Sequence, residues 1–199
     1  KSMYDALVHN EVPIDNRKLW KLKIPLKVKI FLWFFTKGVI LTRDNLARRN
    51  WLGCKKCVFC HHDESIKHLF FECKFARSVW AIVQIASNLY PPRSARNMFG
   101  NWLRGIDKQF SKHILVGAAA LCWALWLTRN DIVFNRKCVS SPMQVIHICS
   151  RWLRMWSILQ QSEDRDLFMM ASTRLECSAR EIFYPHEWRC DLRIGLAPL

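Results

Sequence analysis

Apolar residues recur at helical spacing along most of the chain. Near the N-terminus, Leu26, Ile30 and Trp33 fall on one side of a helix, and three neighbouring phenylalanines widen this apolar side. The pattern predicts a helix over residues 25–37, which Gly38 ends because glycine readily adopts the left-handed conformation that follows helices. The preceding alternation of basic and apolar residues also suits a strand, but the proline there breaks a central strand and suits a first helical turn.

Short capped helices are predicted on either side of a cysteine-rich segment. Thr42 is placed to cap a helix over residues 43–49, with Leu41 and Leu46 facing inward. Ser65 is placed to cap a turn that carries the segment's last histidine, and helical spacing resumes after its last cysteine. The cysteines therefore lie in a connection between helices.

The second half of the chain is predicted to hold two longer helices, over residues 108–134 and 142–160. The first includes a run of fourteen residues without charge, from 114 to 127. This run is shorter than the roughly 20 residues needed to span a bilayer, so we interpret it as part of a buried core helix. Residues 161–199 show weak periodicity and predict a loosely structured tail.

Four potential metal ligands lie within 17 residues, namely Cys57, Cys60, His68 and Cys73. The Cys-x2-Cys half is a tight turn that aims both sulfurs at one point. The His-x4-Cys half can place its ligands on one turn of helix and the residue after it. Zinc prefers thiolate and imidazole ligands, and four of them close a structural site. We therefore predict one structural zinc ion in a knuckle with Cys-Cys-His-Cys order.

Neighbouring residues leave the ligand register open. Cys54, His61 and His62 lie close enough in sequence to replace one of the four ligands. A redox Cys-x2-Cys motif would follow a strand and precede a helix, whereas a Gly-Cys-Lys-Lys turn precedes this one. Inert buried thiols are the remaining alternative, and the polar neighbourhood argues against them.

These patterns predict a mainly α fold, with a small helical domain around the zinc knuckle and a second helical segment after it. The sequence Tyr-Pro-Pro-Arg that begins at residue 90 is the best candidate for a boundary. The expected organisation is a lead-in (1–16), a zinc-binding domain (17–90), a helical region (91–160) and a weakly structured tail (161–199).

Composition narrows the class of protein further. Apolar residues form 51% of the 199 residues, which excludes disorder, and ten tryptophans with twelve phenylalanines favour helices packed through aromatic rings. Nine cysteines are an odd number, which does not suit a full set of disulfides, and we expect no signal peptide. We therefore expect reduced thiols and an intracellular location, in the nucleus or cytoplasm. Because the first residue is lysine, we expect the chain to be a fragment or a processed piece.

Positive charge is concentrated just before the metal motif and at its start. Residues 17–56 hold twelve Lys or Arg and one acid, in a chain whose formal net charge is +15. Such a concentration favours nucleic acid as the partner over a basic surface without a ligand. The residues expected to contact phosphates are Lys27, Lys29, Arg43, Arg48, Arg49, Lys55 and Lys56. Phe59 is expected either to stack on a base or to pack against a helix.

The order of these residues resembles the zinc-binding domain that follows the reverse transcriptase in plant non-LTR (LINE-type) retrotransposons. The similarity covers about residues 17–85, and the sequence WLTRNDIVF at 126–134 resembles a helix that often follows this domain. The matching positions are Trp20-Lys21, Pro25, Lys27, Phe31, Trp33, Leu41-Thr42, Leu46, Arg49, Cys57, Cys60, Glu64, His68-Leu69-Phe70, Cys73 and Trp80.

The resemblance implies descent from a retroelement polyprotein in a plant genome, with a reverse transcriptase as a partner to expect. The chain lacks the Tyr-x-Asp-Asp signature of that polymerase and the spaced carboxylates that hold two metal ions in a nuclease. We therefore expect no catalytic residues and no enzyme activity.

The favoured function is a zinc-stabilised module that binds RNA or DNA with weak sequence specificity, and no membrane partner is expected. One alternative is a protein–protein interaction module that docks on a reverse transcriptase or on another protein. A decayed element copy without function is the other.

Overall fold

The computed structural model describes residues 17–136 and 141–183. Within these two ranges the chain is helical and contains no strand, which confirms the mainly α fold. The elements are α1 (Arg17–Trp20), α2 (Leu26–Thr36), α3 (Arg43–Ala47), a π-helical turn (His68–Glu72), α4 (Lys74–Ser87), α5 (Ala95–Phe99), α6 (Lys108–Asn135), α7 (Pro142–Ser157) and α8 (Ser162–Phe183). The lead-in predicted over residues 1–16 lies outside the described residues.

α2 confirms the helix predicted near the N-terminus and ends at the expected glycine. Gly38 adopts a φ of 74°, and its amide donates to the Phe35 carbonyl over 3.1 Å. The Val39 amide donates to the Phe34 carbonyl over 3.0 Å. Together these bonds form a Schellman motif, which satisfies carbonyls that a helix end leaves without intrahelical partners. The motif ends α2 sharply and directs the chain toward α3.

α6 lies at the centre of the hydrophobic core and confirms the helix predicted over residues 108–134. Phe31 of α2 contacts Trp123 and Trp126 of α6, with ring centroids 5.1 and 5.8 Å apart. α7 packs against both α6 and α8, and α4 contacts α7 and α8. One cluster of buried residues therefore extends from α1 to α8, on both sides of the boundary predicted at Tyr90. The domain limits themselves stay a prediction.

Length and composition alone would allow α6 to cross a membrane, and it is the one helix among the described residues for which this holds. In this fold, however, most of its middle is buried, including Leu121 and Leu125. Asp107 caps its N-terminus by accepting from the amides of the second and third helical residues. These features are typical of the core helix that the sequence predicts.

The loose tail predicted over residues 161–199 is wrong for the part that forms α8. Phe168 and Ala179 are buried, and α8 packs along α7. The Ser150 hydroxyl of α7 donates to the Ser172 carbonyl of α8 over 3.2 Å. Small and polar residues thus occupy much of the contact, so the hydrophobic periodicity of α8 is weak although one side is buried. The rest of the predicted tail lies outside the described residues.

α3 is shorter than predicted and has a different inner side. It ends two residues before the predicted end at 49, and Leu41 is exposed, so the inward placement of that leucine is wrong. Asn45 occupies the inner position instead. Its side-chain amide donates to the Gly38 and Ile40 carbonyls over 2.7 and 2.8 Å. These bonds satisfy backbone acceptors of the preceding turn, which a leucine side chain lacks the donors to do.

Candidate metal centre

Cys57 and Cys60, the first two candidate ligands, lie in a closed backbone loop, residues 56–63, which we name the knuckle loop. Lys56 and Asp63 form an isolated antiparallel bridge, and their side chains form an ion pair with an N–O distance of 2.9 Å. Inside the loop, the Cys57 amide donates to the His62 carbonyl over 2.7 Å. These contacts fix the tight turn that the Cys-x2-Cys spacing predicts.

The π-helical turn brings the last two candidate ligands onto one side. The Cys73 amide donates to the His68 carbonyl over 2.7 Å, so the bond spans five residues instead of four. In an α-helix five residues rotate about 140° past a full turn, since each adds about 100°. The wider turn therefore aligns a His-x4-Cys pair that an α-helix would separate. Ser65 caps this turn as predicted, accepting from the His68 amide over 3.1 Å.

A buried tryptophan supports the π-helical turn from α4. The Trp80 indole N–H donates to the Phe70 carbonyl over 2.8 Å, and both residues are buried. A buried carbonyl left without a donor costs about 1–3 kcal/mol. Trp80 thus stabilises the turn that carries His68 and joins it to the hydrophobic core.

The four predicted ligands converge, with their ligand atoms all within 4.8 Å of one another. The Cys73 sulfur lies 3.9 Å from that of Cys57 and 3.8 Å from that of Cys60. The Cys60 sulfur lies 3.1 Å from Nε2 of His68. Zinc–sulfur bonds of about 2.3 Å in a tetrahedron place two sulfurs about 3.8 Å apart. The donor set and its spacing therefore fit one zinc ion.

Backbone N–H groups surround the three sulfurs. The donors are Phe59 to Cys57, His62 to Cys60, and Phe75 and Ala76 to Cys73. The last two belong to the first turn of α4, where the helix end carries partial positive charge. Such donors favour the thiolate form of cysteine, which is the form that binds a metal.

The four groups differ in how readily they reach the metal-binding form. A hydrogen bond from Cys57 lowers the pKa of the Cys73 thiol, and the same contact raises the pKa of Cys57, with burial adding to the rise. Burial raises the pKa of Cys60 and lowers the pKa of His68, which keeps the imidazole neutral. Binding of a divalent cation at this site favours loss of the thiol protons, because the thiolate is the form that coordinates a metal.

The alternative ligands stay outside this cluster. Cys54, His61 and His62 are exposed, and none of them belongs to the convergent group. Along the stretches 17–136 and 141–183, no second group of His, Cys, Asp or Glu side chains is arranged to hold a metal ion. The geometry favours the register that starts at Cys57, while the bound ligand set itself stays a prediction.

A buried ion pair joins the end of the knuckle loop to α6. Arg129 donates to both carboxylate oxygens of Glu64, over 2.7 Å from Nη2 and 3.3 Å from Nε. The two side chains are 2% and 0% exposed. The Arg43 amide donates to the same carboxylate over 2.9 Å, and the guanidinium lies 5.2 Å from the Trp126 ring centroid. No local sequence pattern points to a role for Arg129, because its partner lies 65 residues away.

The residues predicted to contact phosphates fall into two groups. Lys27 and Lys29 lie on α2, where the Lys27 ammonium is 5.7 Å from the Trp123 ring centroid and Lys29 donates to the Trp20 carbonyl over 3.0 Å. The other group lies on and after α3 and consists of Arg43, Arg48, Arg49, Lys55 and Lys56. In the second group, Arg43 bonds to the knuckle loop, Arg48 and Lys55 lie beside its Asp63, and Lys56 is its first residue.

Two members of the second group, Arg48 and Lys55, line a groove of about 320 Å³ between α3 and the knuckle loop, which we name the α3 groove. Its lining residues are Asp44, Ala47, Arg48, Lys55, Asp63 and Glu64. The Arg43 side chain donates to the Lys56 carbonyl, which ties α3 to the loop. Arg48, Arg49 and Lys55 are exposed. The groove thus combines cations on its walls with carboxylates.

Phe59 packs against the protein. Its ring lies parallel to Phe75 of α4, with centroids 4.3 Å apart and an interplanar angle of 7°. This contact agrees with the second of the two roles predicted for Phe59 and holds the knuckle loop against α4. Stacking of Phe59 on a nucleic-acid base stays a prediction, and one ring face is already covered.

Comparisons with known proteins support the metal centre. Residues 1–80 match a protein family described as zinc-binding in reverse transcriptase, which confirms the resemblance derived from the sequence. An Arabidopsis thaliana protein named as a candidate ribonuclease H protein is 30% identical over 89 residues. The match covers 42% of this chain and only 14% of that protein. No solved structure matches the chain.

Proposed function

Since residues 1–80 match a family described as zinc-binding in reverse transcriptase, we propose that the chain binds single-stranded nucleic acid beside its metal centre, without catalysing a reaction. One observation carries the proposal. Exposed cations at Arg48, Arg49 and Lys55 lie after α3 and just before the knuckle loop, which is bonded to α3 and carries two of the four convergent ligands. A structural zinc ion would fix the shape of that unit, and the cations would contact phosphates.

The α3 groove suggests how a strand would lie. Arg48 and Lys55 can neutralise successive phosphates from opposite walls, and each contact releases counterions from the strand. Asp44 and Asp63 disfavour a phosphate deep in the groove, but their carboxylates can accept hydrogen bonds from amino groups of bases. This mixture of charges supports weak sequence specificity and agrees with the packed position of Phe59.

The proposal is tested by fluorescence anisotropy with labelled 20-nucleotide RNA and DNA strands of mixed sequence over a range of salt concentrations. We expect affinity to fall steeply as salt rises, with a log–log slope of about −0.7 for each phosphate contact. An affinity that does not change with salt contradicts the proposal. A comparison of the two strands at equal salt also decides between RNA and DNA.

A charge-matched pair of variants locates the contacts. One variant replaces Arg48, Arg49, Lys55 and Lys56 by glutamine, and the control replaces the exposed Lys108, Arg151, Arg165 and Arg174 by glutamine. The first should reduce the salt slope by about 3, whereas the control should keep the wild-type slope. Equal losses in both variants would show binding by net charge alone, which contradicts a site beside the metal centre.

The proposal also covers the origin of the chain, its location in the cell and its protein partner. The match to a reverse-transcriptase zinc-binding family supports origin in a retrotransposon polyprotein, and the Arabidopsis relative supports a plant source. We infer that the module acts inside the cell, in the nucleus or cytoplasm, with a reverse transcriptase as one partner. The relative's ribonuclease H name leads to a direct check, because no hydrolysis of an RNA–DNA hybrid is expected from this chain.

A further inference from the structure

α2 is apolar on two opposite sides, although only one of them faces the core. Val28, Phe31, Leu32 and Phe35 are buried on the core side. On the outer side, Leu26, Ile30 and Phe34 are 64%, 41% and 39% exposed. We name these three residues the outer stripe of α2. A helix that is apolar all round is normally buried, so the outer stripe has the character of a contact surface.

The outer stripe has the geometry of a helix-docking surface. Its residues are spaced by four, so at about 100° per residue they lie within about 80° of arc and extend over about 12 Å along the helix. Rows of side chains spaced by four form the ridges that pack into the grooves of a second helix. Gly38 ends α2 soon after Phe34, which limits the stripe to about two helical turns.

The charges around the stripe define the chemistry of what can bind there. Residues 17–43 contain eight Lys or Arg and no acid. Lys27 and Lys29 flank the stripe on its two sides, at about 100° and 300° from Leu26 around the helix. A partner helix with an apolar stripe between rows of carboxylates would complement this pattern, and a basic helix would be repelled.

We propose that the outer stripe of α2 is the docking surface for an acidic amphipathic helix of a partner protein. The helix would lay about two turns of its apolar side on Leu26, Ile30 and Phe34, with Glu or Asp facing Lys27 and Lys29. This surface is distinct from the α3 groove, and the inference stands independently of nucleic-acid binding.

The chemistry of the stripe favours a protein over a nucleic acid. Leu26 and Ile30 have no aromatic face on which a base could stack, and stacking supplies much of the affinity for single strands. Phe34 also contacts the Trp33 ring, with centroids 4.9 Å apart, so part of its surface is already in use. An apolar ridge with flanking cations instead suits packing against the apolar side of an acidic amphipathic helix.

The test uses two synthetic helical peptides of 18 residues with the same leucine stripe. One carries glutamates on both flanks and the other carries lysines at the same positions. Anisotropy titrations with the zinc-loaded chain should show at least tenfold tighter binding of the glutamate peptide. Equal binding of the two peptides, or binding of neither, overturns the proposal.

Variants with exposed positions changed show where the peptide binds. Leu26→Gln, Ile30→Gln and Phe34→Gln together should weaken binding of the glutamate peptide at least tenfold. The matched control combines Met155→Gln, Ile158→Gln and Met170→Gln, which are exposed apolar residues elsewhere on the chain and should leave binding unchanged. Circular dichroism and zinc content establish that both triple variants are folded. An equal loss of binding in both overturns the proposed location.

Other occupants give different results with the same variants. Salt-dependent RNA binding should survive the triple change in the stripe, and its loss would assign the stripe to nucleic acid instead. Sedimentation that shows a dimer abolished by the triple change would assign the stripe to a second copy of the chain. Binding to vesicles with anionic headgroups, abolished in the same way, would assign it to a lipid surface. Each of these three results overturns docking of an acidic helix.

Discussion

The metal-binding segment and the three long helices at the C-terminal side are stabilised by different kinds of contact. Between α3 and α4 the chain has one short turn, and its shape depends on the four convergent ligands and on single hydrogen bonds such as that of Trp80. α6 and α8 instead each pack along α7, and this packing buries many side chains, including Leu121, Leu153 and Phe168. Directional polar contacts therefore dominate the first region and non-directional burial dominates the second, so the two should respond to different changes.

Loss of zinc should affect the first region far more than the second. Cys60→Ser should abolish binding of the single expected zinc ion, removing on the order of 10 kcal/mol of stabilisation from the segment. Hydrogen exchange should then show fast amides over residues 42–73 and continued protection in α7 and α8. Cys54→Ser is the control and should keep one zinc per chain by elemental analysis. An equal loss of amide protection in residues 42–73 and in α7 and α8 would contradict the difference between the two regions.

The ion pair between Glu64 and Arg129 tests the connection between the two regions. Arg129→Met leaves a buried carboxylate without its cation, and this should cost about 3–5 kcal/mol in the free energy of unfolding. Urea denaturation measures this cost, with Arg151→Met at an exposed position as the control. The double change with Glu64→Leu should recover part of the loss, because no charge is then left buried. A single-variant cost below about 1 kcal/mol would be incompatible with the enclosed pair.

A cavity in the core should affect mainly the second region. Leu121→Ala removes a fully buried side chain of α6 and should cost about 2–5 kcal/mol. Zinc content should stay at the wild-type value, because Leu121 lies far along the chain from the four ligands and contributes by burial alone. If zinc binding falls together with stability, the two regions unfold as one unit.

The smallest expected effect concerns the contact between α7 and α8. Arg154 donates to Glu176 over 2.7 Å, which lowers the pKa of that carboxyl. A lowered carboxyl pKa stabilises the fold above the unfolded value of about 4.3, and the stabilisation disappears as pH falls through the folded pKa. Arg154→Met should therefore cost under about 1 kcal/mol at pH 7, and less below pH 4.

Denaturation at several pH values measures this difference. His147 lies 3.9 Å from the same carboxylate, so the comparison is repeated in a His147→Gln background. A difference that grows as pH falls would have the wrong sign for this ion pair.

Local patterns in the sequence were sufficient for much of the fold and for the approach of the four ligands. α2 follows from apolar spacing and a terminal glycine, and α6 from an uncharged run of residues. Ser65 was predicted to cap the turn that carries His68, and its hydroxyl does so. In each case the decisive interaction lies within a few residues, so periodicity and turn chemistry contain the information.

The features missed by the sequence analysis depend on distant or atypical contacts. The partner of Arg129 lies in another element, and no local rule joins residues so far apart. α8 buries Ser172 and Ala179 beside larger residues, so its inner side does not appear as an apolar stripe. Asn45 faces inward in place of Leu41, because its side-chain amide supplies the donors that the Gly38 and Ile40 carbonyls require.

The enclosed pair of Glu64 and Arg129 also limits how this segment can be exchanged between proteins. The family match ends at residue 80, well before α6, and a cut at the predicted boundary near Tyr90 would separate the two charges. An N-terminal piece moved into another protein would then keep the buried Glu64 carboxylate but lose the Arg129 guanidinium that pairs with it. Recombination that preserves folding should therefore move α6 together with the zinc segment, and the inheritable unit is longer than the family match.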